Sequence, residues 1–299
     1  HMQPTTEILE KVSRNSLKHP DEVFTRLYRY MLRPDLYYLA YKNLYANNGA
    51  STKGIDQDTA DGFGPEAVER ILTKLQDGSF QPKPTRRIQI PKANGKMRPI
   101  SIPTFTDKLV QEVMRMILEA VYEPIFMNCS HGFRPKRSCH TALEQVKLSF
   151  TGARWFIEGD IKGCFDNIDH QTLVRLVSQK IKDARFIGLL WKFLKAGYLE
   201  DWRYHNTFSG TPQGGIISPI LANIYLHELD RYVMKLQGQF AKPKERAYDP
   251  LYSKIMHEIR AVNNRLDRAT IEEKPELLKE HKRLRLESRR VPCKSQTDK

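Results

Sequence analysis

Residues 86–103 constrain the fold more than any other stretch. Arg86-Arg-Ile-Gln-Ile-Pro-Lys92-Ala-Asn94-Gly95-Lys96-Met-Arg98-Pro-Ile-Ser-Ile102-Pro alternates apolar and polar positions on both sides of Asn94-Gly95. That dipeptide accepts the positive φ values of a tight turn, so the two arms are expected to pair as an antiparallel hairpin. Between Gln81 and Ile100 lie six Lys or Arg and no acid. The hairpin reads either as a basic arm suited to closing over phosphates or as a generic basic surface on nucleic-acid backbone.

The same sign prevails over the whole chain. Lys and Arg number 49 against 35 Asp and Glu, a net charge of +14, which points to a polyanionic partner, nucleic acid before others. The bland alternative is a uniformly solvated basic surface. With 299 residues, 40% of them hydrophobic, the chain can bury a sizeable core in two subdomains. Cys129, Cys139, Cys164 and Cys293 form no C-x-x-C pair and no zinc spacing, so free thiols in a reducing cytoplasm are expected. No apolar run approaches the ~20 residues of a membrane span, and no membrane partner is expected.

Helical periodicity accounts for much of the rest. Residues 3–47 carry apolar positions at three-to-four spacing, interrupted at Pro34, with Lys11, Arg14, Lys18, Arg26, Arg29, Arg33 and Lys42 as a basic side. That side is equally a grip on RNA phosphates or a solvated face. A helix is expected over Pro65–Leu75 and stopped at Asp77-Gly78. Another is expected over Asp107–Val121 with Thr106 as its N-cap, and a third after Ser138. Leu173–Ile181 and Phe186–Leu199 read as two further helices, and Ser218-Pro219 as the start of another. Tyr252–Arg268 and Ile271–Arg290 read as long charged helices.

The chemistry-bearing stretch is Trp155-Phe-Ile-Glu-Gly-Asp160-Ile-Lys-Gly-Cys-Phe165-Asp-Asn-Ile-Asp-His170. An apolar run ending in Asp160, a short turn and a new amphipathic segment read as strand, turn and helix start. A carboxylate fixed at the end of a strand can hold a hard divalent cation against phosphate oxygens, and two-metal sites draw such acids from several segments. An isolated Asp after a strand is otherwise a turn or cap residue. Asp169 reads as an N-cap, and Asp166 is open between the roles. A second motif, Gly210-Thr-Pro-Gln213-Gly214-Gly215, pairs glycines that admit close backbone approach with an amide able to bond a sugar or base edge.

An Asp followed five residues later by an aromatic resembles the first catalytic motif of reverse transcriptases. Asp160-Ile-Lys-Gly-x-Phe165-Asp-x-Ile-Asp-His is similar to the bacterial group II intron enzymes, also called maturases. His131-Gly-Phe-Arg134-Pro-Lys-Arg137-Ser138 resembles the family's Tyr-Gly-Phe-Arg-Pro-x-Arg-Ser, with His131 in the Tyr position. Together the motifs cover roughly residues 25–240 in the family's order. The resemblance implies an α/β (α+β) chain with a right-hand polymerase fold, helix-rich fingers and a partial palm whose antiparallel sheet packs on helices. Its expected segments are an N-terminal helical extension (1–48), fingers (49–150), palm (151–240) and a charged helical insertion (241–299).

The resemblance also implies roles. Asp160 is a Mg2+ ligand and the Ile161 backbone lies beside the second ion. Lys92 and Arg98 contact the incoming dNTP, Phe165 is the gate against a ribose 2′-OH (otherwise a plain core Phe), and Gln213 and Gly214 seat the nascent pair. Arg134 and Arg137 face phosphates, and Arg86, Arg87, Lys11, Arg14 and Lys18 join them on nucleic acid. The family's third motif, Tyr-x-Asp-Asp, has no counterpart: no Asp-Asp pair occurs in the sequence. The chain therefore reads as ending before that hairpin, inactive in polymerisation with one acid of three.

The expected partners are group II intron RNA, an RNA template with a DNA primer, dNTP and, through exposed palm surface, a second copy of the chain. The expected activity is RNA-directed DNA synthesis together with maturase action on the intron. The alternatives are a purely RNA-binding splicing cofactor and a retron-like reverse transcriptase.

Overall fold

The N-terminal segment is helical, as its periodicity requires: α1 (Thr5–Lys18), α2 (Tyr28–Met31) and α3 (Pro34–Tyr45), with Pro34 at the first turn of α3 where a missing N–H costs nothing. The computed structural model describes residues 5–46, 49, 51–93, 95–150, 156–201, 203–207, 209–211, 214–240 and 248–294. Helix α4 (Pro65–Asp77) ends at Gly78 in the left-handed conformation. The basic hairpin forms as expected from β1 (Thr85–Pro91) and β2 (Met97–Ile102), antiparallel with Ile88 opposite Ile100; Asn94 itself lies outside the described residues.

Helix α5 (Phe105–Tyr122) is the axis of the first compact unit, His1–Lys235. It is buried on nearly every side, packing against α1 and α3, and carries buried Asp107, Lys108, Gln111 and Glu112 beside its apolar residues. Its N-cap is Thr104, not Thr106. The Thr104 hydroxyl accepts from Asp107 N (3.2 Å) and donates to Asp107 Oδ2 (2.8 Å), a reciprocal pairing that places the cap two residues earlier. Helix α6 (Cys139–Ser149) starts from Ser138 in a capping box with Thr141.

The strand expected to end at Asp160 is absent. Residues 156–160 have no regular structure, Phe156 and Ile157 are exposed, and Trp155 lies outside the described residues. A strand needs a neighbour to pair its N–H and C=O groups, and none of the described strands runs beside it. Asp169 does cap α7 (His170–Lys180), accepting from Thr172 N at 2.7 Å. Helix α8 (Ala184–Leu194) ends five residues earlier than periodicity suggested. Tyr198 and Leu199 are instead recruited to β3 (Tyr198–Glu200), which pairs in parallel with β1 and antiparallel with β4 (Arg203–His205). The sheet has the order β2-β1-β3-β4 and is mixed, not purely antiparallel. Helix α9 (Ser218–Phe240) opens at Ser218-Pro219, and its first turns join α5, α7 and α8 in one core through Ile220, Leu221 and Ile224.

The second unit, Leu236–Lys299, is a helical hairpin of α10 (Pro250–Leu266) and α11 (Lys274–Ser288). Its core is small: Ile255, Ile259, Val262 and Leu284. Asp249 caps α10, and a bridge between Tyr248 and Lys294 closes the base. No helix of the described residues is long and apolar enough to cross a membrane.

Candidate nucleic-acid interface

Strand alternation divides the β1–β2 hairpin into two faces. Arg86, Ile88 and Ile90 share one face with Arg98, Ile100 and Ile102, while Thr85, Arg87 and Gln89 share the other with Pro99 and Ser101. The apolar face roofs a cleft of about 350 Å³, lined also by Leu44, Ile216 and Gly214. Gly214, at φ 105°, lies against the hairpin so closely that a β-carbon there would come 2.4 Å from Ser101 O. Only glycine admits both the dihedral and the contact. Arg98 stands opposite Ile90 at the exposed outer end of this face. Lys92 follows directly on β1, and its backbone closes the turn through N–H to Lys96 O (2.7 Å) and C=O from Gly95 N (2.9 Å). Gln213 lies outside the described residues.

The two sequence motifs some fifty residues apart are joined through main-chain atoms. Phe165 sits in a single 3-10 turn, Cys164–Asn167, half-buried against the core and edge-on to Phe133 at 6.2 Å. Its carbonyl accepts from Thr211 N (2.8 Å), and Gly210 N donates to Ile168 O (2.7 Å). A β-carbon on Gly210 (φ 84°) would lie 2.7 Å from Asp166 O. His170 Nε2 meets Gly210 O at 2.6 Å from the helical side. The Phe165 turn and Gly210-Thr211 are thus held together by main-chain bonds.

Asp160 and Ile161 are exposed in the irregular segment before that turn. Among the described residues no group of three or more His, Cys, Asp or Glu could hold a metal ion. One carboxylate does not fit a two-cation site.

Arg134 is turned inward, contrary to its expected phosphate role. It is buried, forks onto Glu123 (2.8 and 3.0 Å), donates to the carbonyls of Met127 (2.7 Å) and Ser130 (2.8 Å), and lies over the Phe126 ring. A guanidinium so saturated staples its own loop. Arg137 is half-buried and spends two N–H groups on Asn128 (2.8 and 2.9 Å). His131 bridges Thr141 (2.8 Å) and Gln145 (2.6 Å), so it fastens the same loop to α6.

Lys11, Arg14 and Lys18 are exposed on α1, whose other side is buried through Ile8, Val12 and Ser16. Lys11 joins Arg26, Arg29 and Arg33 around an open cleft of about 610 Å³ between α1 and residues 22–33; Arg33 pairs there with Asp35.

Sequence reasoning missed the polar face of α5. Gln111 Oε1 accepts from Ile216 N (2.9 Å) and so holds the Gly214–Ile216 turn under the hairpin. Lys108 Nζ reaches Gly49 O and Thr52 O (3.0 Å each), and burial, helped by the nearby Arg86 charge, pushes its ammonium pKa down. Arg86 donates to Lys53 O (2.7 Å), and Lys83 pairs with Asp56 (2.9 Å), so loop 49–58 is tied to the hairpin base by cations. Asp107 is buried, which drives its carboxyl up to about 6 against the pull of its bonds to Thr104 and Lys83 N. The missed signal was the row Asp107, Lys108, Gln111, Glu112, polar at helical spacing in an otherwise apolar helix.

The family model for reverse transcriptase (RNA-dependent DNA polymerase) matches residues 90–241. The group II intron-encoded protein LtrA of Lactococcus lactis subsp. cremoris is 58% identical over 299 residues, all of this chain and 50% of that protein. Protein YkfC of Escherichia coli K12 is 37% identical over 254 residues, covering 80% of this chain and 65% of that protein. The nuclear intron maturase 1 of Arabidopsis thaliana is 29% identical over 198 residues, 59% and 27% of the two chains. The chain spans about half the length of the Lactococcus protein. With the family model matching half of the chain, from the end of β1 through the Phe165 turn and α9, the protein belongs to the reverse transcriptase (RNA-dependent DNA polymerase) family.

Proposed function

We propose that these residues are the fingers and part of the palm of a group II intron-encoded reverse transcriptase that also acts as a maturase in the bacterial cytoplasm. The carrying observation is the hairpin packed on Gly214 with Arg98 at its outer end, together with the main-chain bonds that join the Phe165 turn to Gly210-Thr211. The segments follow as a helical extension (1–48), fingers (49–150), palm (151–240) and a charged helical insertion (241–299). Lys92 and Arg98 meet the triphosphate of a dNTP, and Phe165 and Gly214 border the nascent base pair on an RNA template with its DNA primer. Asp160, with the Ile161 backbone beside it, is the part of a Mg2+ site that this stretch would supply.

Taken alone, the 299 residues bind RNA without extending a primer, because no Asp-Asp pair accompanies Asp160. The RNA-binding reading is favoured for this stretch by the cleft at α1, where Lys11, Arg26 and Arg29 converge. Its natural ligand is the chain's own intron RNA, recognised by shape and phosphate position. Binding to that RNA and to an unrelated structured RNA, titrated over several salt concentrations, tests this. Selective binding with a shallow salt slope supports the maturase reading, and equal binding that collapses with salt refutes it.

A further inference from the structure

The open cleft of about 610 Å³ between α1 and residues 22–33 is lined by charges of both signs. Lys11, Arg26 and Arg29 are its cations, with Arg33 already paired to Asp35, and Glu22 is the one acid in the lining. No ion pair joins Glu22 to any of the three, and its Oε2 is buried without a hydrogen-bond partner. Guanidinium–carboxylate bonds are among the strong ones, and buried polar atoms are almost always bonded. The cleft therefore holds its opposite charges apart and leaves an acceptor bare, which marks a place that a bridging ligand completes.

The lining restricts the chemistry of that ligand. It needs an anion for the cations and uncharged N–H donors for Glu22, because three positive charges against one acid repel a cationic donor. It also needs an apolar part, since Val12 and Phe24 belong to the wall, and the volume lies within the range of small-molecule sites, about 300–1,000 Å³. A nucleotide meets all three conditions. Among the bases, guanine presents two adjacent donors, N1–H and the N2 amine, with no acceptor between them, which matches the two oxygens of one carboxylate. Adenine, cytosine and uracil each set an acceptor beside the donor, and a carboxylate repels it. Arg29 is preoriented for the anion: it donates to the Tyr30 hydroxyl at 2.8 Å with its Cζ 4.8 Å from the ring centroid.

We infer that this cleft binds one guanine nucleotide, with the phosphate on Lys11, Arg26 and Arg29 and the N1 and N2 donors of the base on Glu22. A free guanosine nucleotide and an unpaired guanosine in an RNA strand offer the same chemistry. For the second source the inference rests on the RNA-binding reading of this cleft and adds the base that it selects.

The whole chain is titrated with the 5′-monophosphates of guanosine, inosine and adenosine, and with two oligoribonucleotides that differ in a single unpaired G or A. Inosine lacks the N2 amine, so guanosine is expected to bind about tenfold tighter than inosine, with adenosine weakest. Glu22→Gln removes the acceptor pair and a negative charge. The preference for guanosine over adenosine should vanish in this variant while adenosine binds as well as before or better, at an unchanged thermal midpoint. Arg26→Gln should weaken all three monophosphates alike, by about tenfold. A guanine preference among the monophosphates assigns the site to the free nucleotide, and one confined to the oligonucleotides assigns it to RNA; either upholds the site. A guanine preference that survives in folded Glu22→Gln overturns it. Tight RNA binding with no guanine preference in either series leaves the RNA-binding reading standing and overturns this inference. A folded wild-type chain that binds none of the ligands overturns both.

Discussion

Gly210 shows how much of this region hangs on single residues. Gly210→Ala would push a β-carbon into Asp166 O at a left-handed φ, so the variant should lose about 1–3 kcal/mol, read as a lowered denaturation midpoint. Wild-type stability would mean the 163–168 turn can move away. Asp107 gives a pH signature. Its carboxyl sits at about 6 in the folded chain against 3.8 ordinarily, so the fold takes up a proton that the unfolded chain releases. Its contribution is fully present below pH 3.8 and is lost as pH rises through about 6, on the order of 3 kcal/mol at full amplitude. The stability profile of Asp107→Asn should be flatter than wild type across that window; parallel profiles would exclude it. The close backbone approach at Gly214 was legible in the sequence, because paired glycines mark such a place. The inward turn of Arg134 was not, since a guanidinium reads as basic whether it faces water or Glu123.

Among the elements, the hairpin and the helices with strong caps were foreseen, because their signals are local. The strand before Asp160 and the tail of α8 were not, because strand formation depends on which edge stands alongside. Residues 198–200, read as helix, became sheet once β1 offered its edge. The cap of α5 separates the two candidates directly. Thr104→Ala should cost about 1 kcal/mol of stability, whereas Thr106→Ala should stay within about 0.5 kcal/mol. Urea denaturation of both variants decides this, and the reverse ranking would move the helix start to the position that sequence alone favoured.

In the whole molecule, burial is uneven. The first unit closes around α5, while the hairpin of α10 and α11 rests on Ile255, Ile259, Val262 and Leu284 with a heavily charged exterior. Small cores open at lower free-energy cost. Amide hydrogens in α10 and α11 should therefore exchange faster than those in α5; equal protection would show that the two units open together. Residues 253–299 carry no Phe, Tyr or Trp, a change in composition already visible in the sequence.

The joint between the Phe165 turn and Gly210-Thr211 is made of main-chain bonds, which do not depend on side-chain identity. In a library of variants, selection for soluble, folded protein should therefore accept many replacements at the exposed Asp166 and few at Gly210. Any narrowing at Asp166 would have to come from selection for something the protein does, so that position could report function with little confounding from foldability.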